Sequence, residues 1–525
     1  MTETRSLETG QGTETGTRRS YLLVLLIFLP FLILAVLYVK ISLQSIVVRN
    51  DIGYPEGASV YAFLTAFRTG RLYSSPYNYP WNEEMYGPVF YLAGAACAKV
   101  AHGDPMLTAE LARSLSFLSF LGSVGLVGFL SWRLEGRKRW TAITIVLGLA
   151  CAWAAPFASA RPDNLSIFLI LGALTIYEVA QGRSQLIFWV GVLGTLSCLT
   201  KQSTAPVLFA LAIDCLIARR FQNCAALIAG SVPVPFLILS MLWLRHEPFL
   251  PNFLVVGHAV FNWPGAVLTT INLVRTNQIA VIPIVLGLLG AGLSWKDVKY
   301  RPILLVGALA WLVNLAALAN TGGTANYLIL PWLLTMLLVP AGIVGIEEWA
   351  KQSVTVPLGL TLLGGLLLIH QRNLLPLKLP ADLDMDNVDK IKVLSDLPYL
   401  ELRSRQPQLL DPYFYHQLSL QSVWSIAPII RQIDGEEYDL ILIAGSDGPS
   451  DSEFRVGSFR GVSSWGADTL GPMVSHYRAL CEVPDHLALV PRDRAGDLQE
   501  KDIARIFGQP CLATGRAPQL APGAR

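Results

Sequence analysis

Charge is scarce in this chain. Asp, Glu, Lys and Arg make up 15% of its 525 residues, against about 25% in a soluble domain. Apolar residues, at 53%, fill the deficit in long runs that recur over most of the length. That excludes an ordinary soluble protein and leaves a polytopic α-helical membrane protein. The net charge of +2 is too small to point to a nucleic-acid partner. Paired cysteines are missing too: none of the seven forms a CxxC unit, so there is no zinc or redox motif. The five from Cys97 to Cys224 fall in or beside apolar segments and read as packing residues. No acid sits at mid-bilayer depth, where ion-coupled transporters bind their ion. No small-residue cleavage site follows the first apolar run, which reads as an uncleaved anchor.

What is present is an alternation of apolar runs and short polar loops. Residues 1–19 are polar and read as a disordered cytoplasmic N-terminus. Arg18 and Arg19 precede the first span, Tyr21–Val39, and basic residues beside a span stay inside. Further spans are expected near 107–132, 140–156, 164–180, 185–200, 204–218, 223–244, 277–294, 302–319, 326–346 and 354–370, about eleven in all. Alternation then puts the basic loops "RLEGRKR" (Arg133–Arg139), "ARRF" (Ala218–Phe221) and "WKDVKYR" (Trp295–Arg301) in the cytoplasm, as the positive-inside rule requires. Residues 86–102 are apolar but short, and counting them as a span would invert every later loop. They read as an interfacial or re-entrant helix. An odd span count puts the C-terminus outside.

From about Gln371 charge rises and apolar runs shrink to strand length. Strands are expected at Ile391–Ser395, Asp439–Ala444 and Leu487–Pro491, with helices near 422–433 and 467–480 between them. That βαβαβ order predicts a small parallel α/β extracytoplasmic domain over 371–525. No Gly-rich loop follows the first strand, which argues against nucleotide binding. "DLDMDN" (Asp382–Asn387) lacks the Gly and the closing Glu of a calcium loop and reads as a solvated hinge. Cys481 and Cys511 are the only cysteines of this segment. In an oxidising exterior they are expected to pair and tie down the terminal stretch.

The expected outer loops collect the polar residues. The first, 43–106, holds Asp51, Glu56, Glu83, Glu84 and "YGPVFY" from Tyr86. Arg113 opens the second span, "ARPDN" (Ala160–Asn164) lies between the third and fourth, and "TKQS" (Thr200–Ser203) between the fifth and sixth. An aromatic loop, Arg245–Gly265, carries His258, and "TGGTANY" (Thr321–Tyr327) opens the tenth. Arg161 and Lys201 are cations on the side where topology needs none, which suggests an anionic ligand. Each residue also has a plainer reading. Arg161 and Asp163 would make a local ion pair, Lys201 would snorkel to lipid headgroups, and Glu83 and Glu84 would be solvated.

These residues carry a resemblance. The acidic "DIGYPEG" after the first helix, "YGPVFY", and then "ARPD", "TKQS" and "NYLILP" at successive outer ends resemble a bacterial GT-C membrane glycosyltransferase. The group includes protein O-mannosyltransferases and aminoarabinose transferases. The likeness covers roughly residues 20–370 by architecture. Many relatives have adjacent acids in the first loop, whereas Asp51 and Glu56 are separated here. The resemblance implies a polyprenyl-phosphate sugar donor and transfer, with inversion, to a glycan, lipid or protein acceptor at the outer face of a bacterial inner membrane. It names no certain cofactor and leaves a divalent metal open.

Phosphate leaves as a stable anion, so one carboxylate that deprotonates the acceptor is enough acid–base chemistry. Asp51 is assigned as that base, with Glu56 as its partner or substitute. Arg161, Lys201 and Arg113 are assigned to the donor phosphate. Asp163, Tyr86, Gln202, Asn326 and Tyr327 are placed with them in the sugar or isoprenoid pocket. The competing readings are a lipid or polysaccharide flippase, a non-catalytic envelope assembly protein and a lipid-phosphate hydrolase.

Overall fold

The computed structural model describes residues 11–52, 56–79, 81–82, 84–150, 158–180, 182–255, 263–276, 280–319, 325–349, 382–384, 388–405, 407, 409–444, 455–456, 465–483, 486–494, 498–513 and 519–520. Glu83, His258 and the expected span at 354–370 lie outside them.

Helix α1 (Gln11–Ile46) begins inside the stretch expected to be disordered. Two helices too short to span follow, α2 (Glu56–Thr69) and α3 (Pro88–Val100). Then come α4 (Pro105–Glu135), α5 (Lys138–Leu149), α6 (Asp163–Ala180), α7 (Ser184–Cys198), α8 (Ala205–Ile217), α9 (Phe221–Ser231) and α10 (Pro233–Leu244). They are followed by α11 (Phe249–Val255), α12 (Trp263–Thr276), α13 (Val281–Ser294), α14 (Arg301–Leu318), α15 (Ile329–Met336) and α16 (Val339–Trp349). Five described helices are long and apolar enough to cross a membrane: Phe28–Ile46, α4, α6, Phe221–Leu244 and α14. A sixth is the pair Ala325–Met336 and Val339–Ile346, bent by 47°. The chain is a multi-pass membrane protein on this ground. Helices α7, α13 and Gln202–Ile217, expected as spans, are apolar but shorter.

Helix α3 has 13 residues, so it is about 20 Å long against a hydrocarbon core of about 30 Å. It packs on α2 through Phe63, Phe90 and Tyr91, with the Phe63 and Phe90 rings edge to face at 5.0 Å. Helix α2 lies in a stretch expected from the sequence to be loop.

The C-terminal segment forms a five-stranded sheet in the order β1-β2-β5-β4-β6. The strands are β1 (Val393–Ser395), β2 (Leu440–Ala444), β4 (Tyr477–Val483), β5 (His486–Pro491) and β6 (Leu512–Ala513). A separate pair joins β3 (Arg455–Val456) to β7 (Gln519–Leu520). Within the five-stranded sheet the parallel arrangement expected from the sequence holds only for β1 and β2. Strand β5 runs antiparallel to both β2 and β4. The cause is local. The helix expected to reach residue 480 stops at His476, and Tyr477 is already extended (φ −114°, ψ 150°). Residues 477–483 become an additional strand, and its antiparallel pairing reverses β5.

Alternation along the strands buries both faces of this sheet. Val393, Leu440, Leu442 and Ala488 point into one buried cluster with Phe63, Tyr73 and Phe90 of the first loop. Leu394, Ile441, Ile443, Leu487 and Leu489 point into another with Trp81, Tyr415 and Trp424. The first loop and the C-terminal segment therefore share a hydrophobic core. Burial on both faces explains why "LILI" reads as a continuous apolar run.

Candidate active site

The chain leaves α1 and turns into α2 through Asp51. Its two carboxylate oxygens serve different elements. Oδ1 accepts from the Gly57 N–H at 2.7 Å, and Oδ2 accepts from the Tyr399 N–H at 2.8 Å. Asp51 remains half-buried. Burial pushes its carboxyl up to about 7, and the Glu56 carboxylate adds to the rise. The Tyr399 and Gly57 N–H groups and Arg113 pull the other way.

Glu56 opens α2 and is fully buried. Oε1 accepts from Arg113 Nε at 2.9 Å and from the Ala160 N–H at 2.6 Å. Oε2 accepts from Arg113 Nη2 at 2.7 Å and from the Ile52 N–H at 2.9 Å. With four donors and no exposure it has no free face for a substrate proton. The expected role as a substitute base does not suit this geometry. Arg113 differs from expectation in the same way. It is fully buried, and its remaining donors go to the carbonyls of Ser45, Ile46, Val48 and Asn50. The end of α1 leaves such carbonyls without partners. Arg113 is a clamp joining α1, α2 and α4, with no donor left for a phosphate.

The other expected residues do come together. Lys201 Nζ lies 2.5 Å from Asp163 Oδ1, which also accepts from Asn326 Nδ2 at 2.7 Å. The ammonium sits 4.0 Å from the centre of the Tyr327 ring. Arg161 Nε lies 3.9 Å from Asp163 Oδ2, an oxygen with no hydrogen bond of its own. Burial works against the charge of Lys201, but Asp163 and Tyr327 hold it raised on balance. Arg161 is raised in the same sense, with Tyr86 and Asp163 outweighing burial. Gln202 Nε2 donates to the Met85 carbonyl at 3.2 Å. This brings "YGPVFY" onto "TKQS": the Val89 N–H donates to the Leu199 carbonyl at 3.0 Å. A side chain at Gly87 would lie 1.9 Å from that carbonyl oxygen, so only glycine permits the approach.

One stretch links the two groups. Ala160 binds Glu56, and its neighbour Arg161 faces Asp163. Arg161 also lines an otherwise mostly apolar cleft with Phe63, Phe90, Leu115 and Leu165. A second cavity is lined by Asp163, Ser203, Asn314, Asn326 and Tyr327. Among the described residues no group of three or more His, Cys, Asp or Glu is placed to hold a metal ion.

Glu84 departs from its expected solvation. It is buried, and it accepts a short hydrogen bond from the Ser74 N–H. Burial pushes its carboxyl up to about 8, the Ser74 bond opposes this, and Glu247 adds to it. Asn252 binds both the Glu84 N–H and the Ser74 carbonyl, while Glu247 accepts from the Leu72 and Tyr73 N–H groups. These residues staple the first loop to α11, through Asn252, and to the turn before it, through Glu247. Apart from Ser74, which lies 10 positions from Glu84, the partners are more than 160 positions apart, so no local pattern marks them. In the C-terminal segment Cys481 and Cys511 are joined, with Cα atoms 5.5 Å apart.

No family model matches the chain, and no curated protein matches it. Among solved structures it is similar to ArnT from Cupriavidus metallidurans bound to undecaprenyl phosphate. The identity is 13%, over 86% of this chain and 97% of that one, with a TM-score of 0.49. It is also similar to the oligosaccharyltransferase AglB from Archaeoglobus fulgidus in complex with an inhibitory peptide and a dolichol-phosphate. There the identity is 12%, over 82% of this chain and 59% of that one, with a TM-score of 0.39.

Proposed function

We propose that this chain is a membrane glycosyltransferase that moves a sugar from a polyprenyl-phosphate donor to an acceptor hydroxyl. The observation that carries the reading is the junction at residues 160–161. One stretch of backbone joins the Glu56 environment of Asp51 to a cation facing an apolar cleft. The cleft has room for about one water in this structure and must open to admit a lipid; its lining is apolar as an isoprenoid is, and Arg161 within it suits a phosphate.

The chemistry follows from the residue types. Asp51, with a proton affinity near neutrality, takes the proton from the acceptor hydroxyl. The hydroxyl oxygen forms a bond to the anomeric carbon. The bond from that carbon to the donor phosphate oxygen breaks, and its electron pair leaves on the phosphate. Attack opposite the leaving group inverts the anomeric centre. Arg161 and Lys201 stabilise the charge that grows on the phosphate. Lys201 and Asn326 hold Asp163, and the Tyr327 ring covers the Lys201 ammonium, which fixes the cations in place.

The same reading puts the site at the outer face of a bacterial inner membrane, the N-terminus inside and the C-terminal segment outside. The basic loops from Arg133, Ala218 and Trp295 support that orientation. The test is incubation of purified protein with labelled polyprenyl-phosphate sugars and membrane extract. Transfer of label to a glycan, lipid or protein with inverted configuration supports the proposal. Release of free sugar would mean a hydrolase. Unchanged donor in every sugar class tested would overturn the enzymatic reading.

A further inference from the structure

We propose that the short helix Pro398–Glu401 of the C-terminal segment positions the Asp51 carboxylate, which makes that segment a working part of the site. The inference rests on the reading of Asp51 as the base, and its test is chosen to succeed or fail separately.

Asp51 has one oxygen on each of two elements. The Gly57 N–H fixes Oδ1 from within the first loop, and the Tyr399 N–H fixes Oδ2 from 348 positions away in the sequence. The approach of the two backbones is tight. A side chain at Gly57 would lie 2.5 Å from the Pro398 carbonyl carbon and the Tyr399 nitrogen. Neither obstacle is a flexible side chain, so even alanine at 57 would separate the elements.

Tyr399 is itself locked. It is 1% exposed, and its hydroxyl lies 3.0 Å from Met106 Sδ. Its ring faces the guanidinium of Arg113 at 5.4 Å, the same Arg113 that grips Glu56. Further contacts tie the C-terminal segment to the first loop near its start and in its second half. The Arg49 N–H donates to Asp382 Oδ1 at 2.8 Å, and the Leu410 N–H donates to the Trp81 carbonyl at 3.1 Å.

The consequence is chemical. Two N–H donors leave each Asp51 oxygen with acceptor capacity on a group that is not fully buried, aimed but not saturated. A donor to a carboxylate favours its charged form. Removing the Tyr399 N–H therefore raises the proton affinity of Asp51. The charged and titratable groups around it are Glu56 on α2, Arg113 on α4 and Tyr399 itself, with Glu110 of α4 facing Tyr399.

The experiment compares Tyr399→Pro with Tyr399→Ala in the full-length protein. Both remove the ring, and only proline removes the N–H; its Cδ takes the place of that hydrogen, so the contact with Gly57 and Asp51 opens as well. The readout is the Asp51 carboxyl stretch in infrared difference spectra against pH, identified by its loss in Asp51→Asn. The midpoint is expected to rise by about one pH unit or more in Tyr399→Pro relative to Tyr399→Ala, since hydrogen bonds to charged groups are strong. Equal midpoints would overturn the proposal. Should the proline variant fail to fold, selective 15N-tyrosine labelling of the unaltered chain decides. The Tyr399 amide resonance, identified by its loss in Tyr399→Phe, is expected to move with the Asp51 midpoint and to stop moving in Asp51→Asn. An amide that ignores Asp51 would overturn the positioning role. Neither measurement uses turnover, so a shifted midpoint in a catalytically silent protein would sink the proposed function and leave this inference standing.

Discussion

Arg113 grips Glu56 through two parallel hydrogen bonds, Nε to Oε1 at 2.9 Å and Nη2 to Oε2 at 2.7 Å, and neither side chain is exposed. Removing one partner would strand a buried charge, at a cost of about 3–5 kcal/mol. Glu56→Ala and Arg113→Ala should each lower the thermal unfolding temperature in detergent sharply. The double variant Glu56→Leu with Arg113→Met should recover part of the loss. Single variants as stable as the parent would show that the pair is not a clamp.

Asp51→Asn should lower turnover by about 10²-fold or more while insertion and melting stay close to those of the parent. A base must be unprotonated, so parent turnover should rise with pH through about 7. An asparagine variant with near-normal turnover would remove Asp51 from the mechanism.

Arg161→Gln should weaken binding of polyprenyl phosphate by about tenfold or more, with little effect on the free polyprenol. Lys201→Met should show the same preference, together with some loss of stability, because it leaves Asp163 short of a partner. Equal losses for the two lipids in Arg161→Gln would assign the residue to packing.

Glu84 binds its proton more tightly in the folded chain than in the unfolded one, with the carboxyl raised from 4.5 to about 8. Between those values the folded state holds a proton that the unfolded state has lost. Its contribution to stability is therefore present at low pH and falls as pH rises through that window. Glu84→Gln should flatten the fall in melting temperature between pH 5 and pH 8, values bracketed by that range. An unchanged slope would show that another group governs it.

Cys481 and Cys511 should resist alkylation in unreduced, denatured protein, while Cys97, Cys198, Cys215 and Cys224 react. Replacing both by serine should cost about 2–4 kcal/mol in the C-terminal segment. A reporter after Arg525 should read outside and one within Arg133–Arg139 inside. Free thiols at both tail positions, or a cytoplasmic C-terminus, would break the assigned topology.

The sequence by itself determined what rests on local chemistry. Long apolar runs marked a multi-pass chain, of which five described helices and one bent pair are long enough to span, and "YGPVFY", "ARPD", "TKQS" and "NY" marked the residues that meet around Asp163. Spans stop at polar loops, so residues at neighbouring helix ends fall at similar depth before any packing is known. Tertiary structure decided what those residues can do. Glu56 and Arg113 suit a base and a phosphate ligand by residue type, but they bind each other; Arg113 also takes the carbonyls at the end of α1, and Glu56 the N–H groups of Ile52 and Ala160. Glu84 looked solvated until Ser74 and Asn252 enclosed it. Strand β4 was hidden because a helix and a buried strand share short apolar stretches, and its pairing with β5 then set the direction of the sheet. Asp51 meets Tyr399 because the C-terminal sheet buries one face on the first loop. Proton affinity and hydrogen-bond capacity depend on what surrounds a group, and here those neighbours come from distant parts of the chain.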